Sequence, residues 1–164
     1  MAQVHRYEVD VRWTGDEGTG TSSYRAYRRD HDVASTGKPT IAGSSDPGFR
    51  GDAARWNPEE LLVAAVSQCH MLWYLHLSIG AGIVVVGYED HATATMTEHA
   101  DGSGEIVEVT LHPRVTVADA STLDAANALH AEVHRFCFIA RSVHFPVHHE
   151  PVTHARSAAG APEG

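Results

Sequence analysis

Cysteine is scarce in this 164-residue chain, with only Cys69 and Cys137 present. Two cysteines cannot form a disulfide framework, and in a reducing compartment any bridge between them is transient. Basic charge is also thin, at 12 Lys and Arg against 21 Asp and Glu, for a net charge of −9. No basic cluster offsets this locally, since Tyr24–Asp30 sets its three arginines beside an aspartate. An acidic surface repels phosphate backbones, so nucleic acid is excluded as a partner. The start, Met1-Ala-Gln-Val-His-Arg-Tyr, lacks the basic-then-apolar order of a signal peptide, and a cytoplasmic location is the expectation. Uninterrupted apolar sequence is lacking too. The longest stretch, Leu61 to Tyr88, contains Ser67, Gln68, His70, His76 and a Gly80-Ala81-Gly82 break, so it reads as a helix followed by a strand, with no membrane as partner. There is no internal repeat.

What remains is ordinary globular composition, 43% hydrophobic and 20% charged, at a length that suits one domain. The expected domain spans 1–152, with 153–164 as a small, polar, disordered tail. His5–Thr14 alternates like a strand, and Gly15-Asp16-Glu17-Gly18 suggests a hairpin into a second strand around Thr21–Tyr27. Ser35 to Asp52 is rich in Gly, Pro, Ser and Asp and reads as a long connection. Asn57-Pro58-Glu59-Glu60 then starts a helix: Asn at the cap, Pro at the first position, and Glu three residues after the cap. That helix is apolar nearly all round, which predicts burial on most sides. Three strands follow at Ile83–Tyr88, Ala92–Thr97 and Ile106–Pro113, read as a meander. A second helix begins at Ser121 or Thr122 and runs to about Arg135, and Val143–Val147 with Pro151-Val152 forms a closing strand. The class is α+β, with antiparallel sheets and two main helices.

Each cysteine lies in an apolar part of its segment, where packing alone accounts for it. Burial raises a thiol's pKa, so reactivity at Cys69 requires an adjacent cation, and an arginine must supply it. His130-x-x-x-His134-x-x-Cys137 puts three zinc-ligand types on one helix face if the helix reaches that far, with Cys69 or His70 as a fourth. Otherwise His130 and His134 are polar positions flanking the apolar stripe. His144, His148 and His149 read as exposed positions near the closing strand. Cys69 and His70 do not form a nucleophile–base pair, because neighbours on a helix diverge by about 100°.

The string Asn57-Pro58-Glu59-Glu60 through Gln68-Cys69, followed far downstream by His130-x-x-x-His134-x-x-Cys137-Phe-Ile, resembles the OsmC/Ohr family of cysteine-based peroxidases, on its OsmC-like branch. The resemblance covers roughly His5 to Val152. It implies an OsmC-like fold, an intertwined homodimer, and a thiol-dependent peroxidase that reduces organic or hydrogen peroxides with no cofactor and no metal. By the same resemblance Cys69 is peroxidatic, Cys137 is resolving, Glu59 orients an arginine, and that arginine is Arg50 or, if the hairpin supplies it, Arg25. An external dithiol reductant closes the cycle. The sequence departs from the Ohr pattern in carrying Cys137-Phe138 in place of Cys-Pro, with Arg141 following. Glu59 and Cys69 lie about 15 Å apart along a straight helix, so the arginine–glutamate part of each pocket is expected from a partner chain. The alternatives are a zinc-binding module using His130, His134 and Cys137, and a catalytically silent dimeric module.

Overall fold

Asn57 starts the longest helix, α1 (Pro58–Gly80), through a reciprocal capping box. Its side chain accepts from the Glu60 amide at 2.7 Å, and its own amide donates to the Glu60 carboxylate at 3.1 Å. The helix stops at Gly80-Ala81-Gly82, where Gly82 takes a left-handed φ of 69° and the Ile83 amide reaches back to the Ser78 carbonyl. The computed structural model describes residues 3–157, and the chain falls into two compact units that divide within α1, one up to Leu62 and one from Val63. The class is α+β, as expected.

The first unit holds an antiparallel sheet of β1 (Asp10–Trp13), β2 (His31–Ala34) and β3 (Ile41–Gly43), in that order. The expected strand at Thr21–Tyr27 is absent, and β1 pairs instead with β2. Local hydrogen bonds account for the difference. The Asp16 carboxylate accepts from the Gly18 and Gly20 amides, and the Arg29 guanidinium gathers the Tyr24 and Tyr27 carbonyls. Residues 15–29 thereby close on themselves as a loop, pinned where the Thr14 amide meets the Asp30 carbonyl. The 35–52 connection also carries structure that its composition conceals, namely β3 and a short 3-10 turn at Pro47–Phe49. A buried carboxylate anchors the unit. Asp30 accepts from the Ser44 hydroxyl and lies 3.4 Å from Arg28 and 3.8 Å from Arg55.

The second unit contains β4 (Val85–Asp90), β5 (Thr93–Glu98), β6 (Gly104–Leu111), β7 (Pro113–Val117), α2 (Leu123–Val133), β8 (Val147–His149) and β9 (Val152–Ala155). These strands do not form the expected meander. β4 pairs with β7 and β5 with β6, so residues 85–98 and 104–117 make one long hairpin folded at a corner. The register is the same on both sides of the corner, with Asp90 opposite Pro113 and Thr93 opposite Thr110. Two features break the ladder there. Pro113 has no amide to donate, and the His112 amide is taken by the Asp90 carboxylate at 2.7 Å. The closing strand is likewise two strands that follow the same corner, β8 parallel to β6 and β9 parallel to β7. Strand β9 corrects the expected tail, because the ladder to β7 orders Val152–Ala155. Residues 158–164 of that tail lie outside the described residues.

Burial on α1 also differs from the expectation. Its buried residues are Val66, Cys69, His70, Tyr74 and Ser78, a single stripe, while Leu72 and Ile79 stay 59% and 77% exposed. On the buried side, Val66 packs with Val109 and Leu111, and Cys69 and Tyr74 pack with Val115, Val117, Ala126 and Val133.

Candidate active site

Cys69 lies in the middle of α1 on its buried stripe, and Cys137 follows the end of α2. Residues 134–136 form a turn, with the Cys137 amide making a last helical bond to the Val133 carbonyl at 2.9 Å. Arg141 donates its amide to the Cys137 carbonyl, and the Ala140 amide points at the Cys137 sulfur at 3.5 Å. The segment thus wraps around the thiol. Both cysteines are free, buried, and members of one apolar cluster. Burial pushes the Cys137 thiol up to about 11; the Ala140 amide pulls the other way, and the adjacent Cys69 sulfur adds to the rise. Cys137 is therefore a neutral thiol at physiological pH, with its proton still in place.

Around the thiols the surroundings are aromatic. Trp73 stacks on Phe136 at 5.3 Å and meets Phe138 edge-on at 5.4 Å, so the residues flanking Cys137 are packed against α1. Trp56 belongs to the first unit and is half exposed. A groove of about 380 Å³, lined by residues including Leu75, Ile79, Ile83 and Val85, includes neither cysteine.

The other expected site residues lie in the first unit. Arg50 is exposed, sits in the left-handed region at φ 67°, and has its guanidinium 5.9 Å from the Tyr24 ring. Arg25 is exposed in the 15–29 loop, and Glu59 is partly buried in the first turn of α1. Among the described residues no ion pair joins Glu59 to Arg50 or Arg25.

The zinc alternative does not assemble. Helix α2 ends at Val133, so the spacing that aligned His130, His134 and Cys137 on one face breaks before Cys137. His130 points into the core while His134 is exposed. Among the described residues no group of three His, Cys, Asp or Glu is placed to hold a metal ion. His130 is also not a flanking polar position, since it is fully buried and its Nδ1 meets His70 Nε2 at 2.9 Å. That pair escaped sequence reasoning. One signal for it exists: His130 lies four residues after Ala126 and three before Val133, within the apolar stripe.

No curated protein matches the chain by sequence. Several solved structures share its fold. An OsmC-like protein of unknown function from Vibrio cholerae superposes with a TM-score of 0.81 at 28% identity, over 91% of this chain and 100% of that one. An organic hydroperoxide resistance protein from Elizabethkingia anophelis gives 0.64 at 18% identity, over 94% and 100%. One from Bacillus subtilis gives 0.61 at 20% identity, over 90% and 96%. The family model described as OsmC-like protein matches residues 51–151, the segment that holds the capped helix, both cysteines and the folded hairpin, and so the chain belongs to the OsmC-like family.

Proposed function

We propose that the protein is a thiol-dependent peroxidase in which Cys69 attacks the peroxide and Cys137 resolves the product. The supporting observation is the meeting of two sequence-distant free thiols in one buried apolar cluster. Family membership and the likeness to organic hydroperoxide resistance proteins support a peroxide-related role. In the first step the Cys69 thiolate forms a bond to one peroxide oxygen as the O–O bond breaks. The other oxygen leaves as alkoxide and is protonated to an alcohol, or to water from hydrogen peroxide. Cys69 is now a sulfenic acid, oxidised by the two electrons the peroxide gained. Cys137 then forms the S–S bond, and its retained proton leaves with the sulfenic oxygen as water. An external dithiol opens the disulfide by exchange.

A guanidinium beside Cys69 serves both halves of the first step, holding the thiolate and then stabilising the departing alkoxide. Arg50 takes this role, with Arg25 as the alternative, and Glu59 orients it. The protein acts as a homodimer in a reducing, cytoplasmic environment, and the Arg50–Glu59 half of each pocket comes from the partner chain. The exposed apolar side of α1 supports an assembly of this kind.

Steady-state peroxide consumption with a dithiol reductant is the test. Cys69→Ser is expected to abolish it, and Cys137→Ser to permit one turnover before stalling or overoxidising. Arg50→Ala is expected to lower the rate by about a hundredfold or more, as for loss of one preorganised donor to a developing oxyanion. A mixture of Cys69→Ser and Arg50→Ala chains regains activity if the pockets are shared. Unchanged turnover in Cys69→Ser rejects the function, and failure of the mixture to recover rejects the shared pocket.

A further inference from the structure

His70 on α1 and His130 on α2 are buried, 4% and 0% exposed, and their ring planes are nearly parallel at 5° with centroids 5.2 Å apart. One hydrogen bond of 2.9 Å joins His70 Nε2 to His130 Nδ1. Tyr74 of α1 stacks on His130 at 4.2 Å and donates its hydroxyl to the Ala126 carbonyl of α2 at 3.0 Å. His130 Nε2 is buried with no hydrogen-bond partner. The other titratable groups around the pair are His149 on β8, 6.0 Å from His70 and 6.2 Å from His130 between ring centroids, His134 at the end of α2, His148 beside His149, and Tyr88 of β4 behind Tyr74. These groups are histidines and tyrosines, joined by the buried thiols of Cys69, next to His70 in the chain, and Cys137, in the same core cluster as Tyr74. Among the described residues no ion pair joins either imidazole to a carboxylate.

We propose that the His70–His130 pair is an acid-sensitive latch: neutral, it ties α1 to α2, and on taking up protons it releases the α2 side of the core, Cys137 included. The contact needs one N–H and one bare nitrogen. A first proton places a charge where the rings are buried and no carboxylate pairs with it. A second proton turns both facing nitrogens into donors at 2.9 Å, and the contact must break. The latch does not depend on the peroxidase reading.

Burial first, then the neighbouring histidines, hold His70 down to about 4 and His130 down to about 3, against 6.5 for a free imidazole. The sign follows from proton counting. An opened state binds protons below about pH 6.5 that the closed state refuses until the pH nears 4 and 3. Stability from the latch is therefore complete above about pH 6.5 and drains as the pH falls through that window. At about pH 5 each imidazole shifts the opening equilibrium by about thirtyfold.

Amide hydrogen exchange of the reduced full-length protein, corrected for intrinsic rates, tests this at about pH 7.5 and about pH 5. Protection across residues 123–142 is expected to fall by more than about tenfold on acidification. In His70→Asn and His130→Gln that pH-dependent fall shrinks by about tenfold or more. Tyr74→Phe, which loses the hydroxyl bond to Ala126 but leaves both imidazoles in place, lowers protection at both pH values and keeps their ratio. Equal protection of the wild-type protein at both pH values overturns the latch. So does an undiminished pH effect in both histidine variants. If neither variant folds, NMR titration of the wild-type imidazoles decides. His70 and His130 remaining neutral until residues 123–142 lose protection supports the latch; titration near pH 6.5 with protection intact overturns it.

Discussion

Single side chains differ in how openly the sequence declares them. Asn57 is readable because capping is local: the acceptor, the proline and the returning glutamate all lie within four residues, and the observed bonds of 2.7 and 3.1 Å are those the spacing implies. Asn57→Ala is expected to cost about 1 kcal/mol, measured as a lower midpoint in urea with an unchanged slope. A loss confined to a few tenths of a kcal/mol would show that the cap carries no weight. His130 is the opposite case. Its burial depends on His70, distant in sequence, offering a nitrogen at 2.9 Å, and on Tyr74 covering its ring. Ala126 and Val133 place His130 within the apolar stripe, but nothing within a few residues of it names the partner. The shared cluster of Cys69 and Cys137 is non-local in the same way, and motif resemblance brought the two together where spacing alone could not.

At the scale of elements, the sequence marked β1, β4, β5 and β6, missed β2, β3 and β7, and carried little about which strands pair. Alternation reports which face of a strand is buried, so β4, β5 and β6 were visible, but it carries no information about the neighbour each strand chooses. The His91-Ala92 break between β4 and β5 has none of the Gly or Asn that a tight reversal requires, and the chain there bends without turning back. The corner is held by Asp90, which accepts from the His112 amide at 2.7 Å and from the Ser67 hydroxyl of α1. Its carboxylate therefore fastens the folded hairpin to the helix that bears Cys69. Asp90→Ala is expected to destabilise the protein by about 1–3 kcal/mol, since it leaves the His112 amide without its acceptor. Exchange protection at His112 falls with it. A variant with wild-type stability would mean that the corner is set by Pro113 and the strands alone.

At the scale of the whole molecule, the chain combines local signals that specify helices and loops with long-range contacts that specify chemistry. Helix α1 shows both. Its cap and stop were legible, yet its apolar surroundings were overestimated, because a run of Leu, Val and Ala does not say how much of a helix its own chain covers. Much of that surface is uncovered here, which supports the proposed homodimer. The proposed activity needs something narrower: Cys69 and Cys137 must be able to join without a large rearrangement. Both belong to the second unit and pack in one cluster. A single-equivalent pulse of an organic hydroperoxide on the fully reduced protein, followed by alkylation and peptide mass spectrometry, tests this directly. The predicted result is a Cys69–Cys137 disulfide formed in step with peroxide loss. Peroxide left unconsumed with both thiols alkylated, or Cys69 oxidised to the sulfinic acid while Cys137 stays free, contradicts the account.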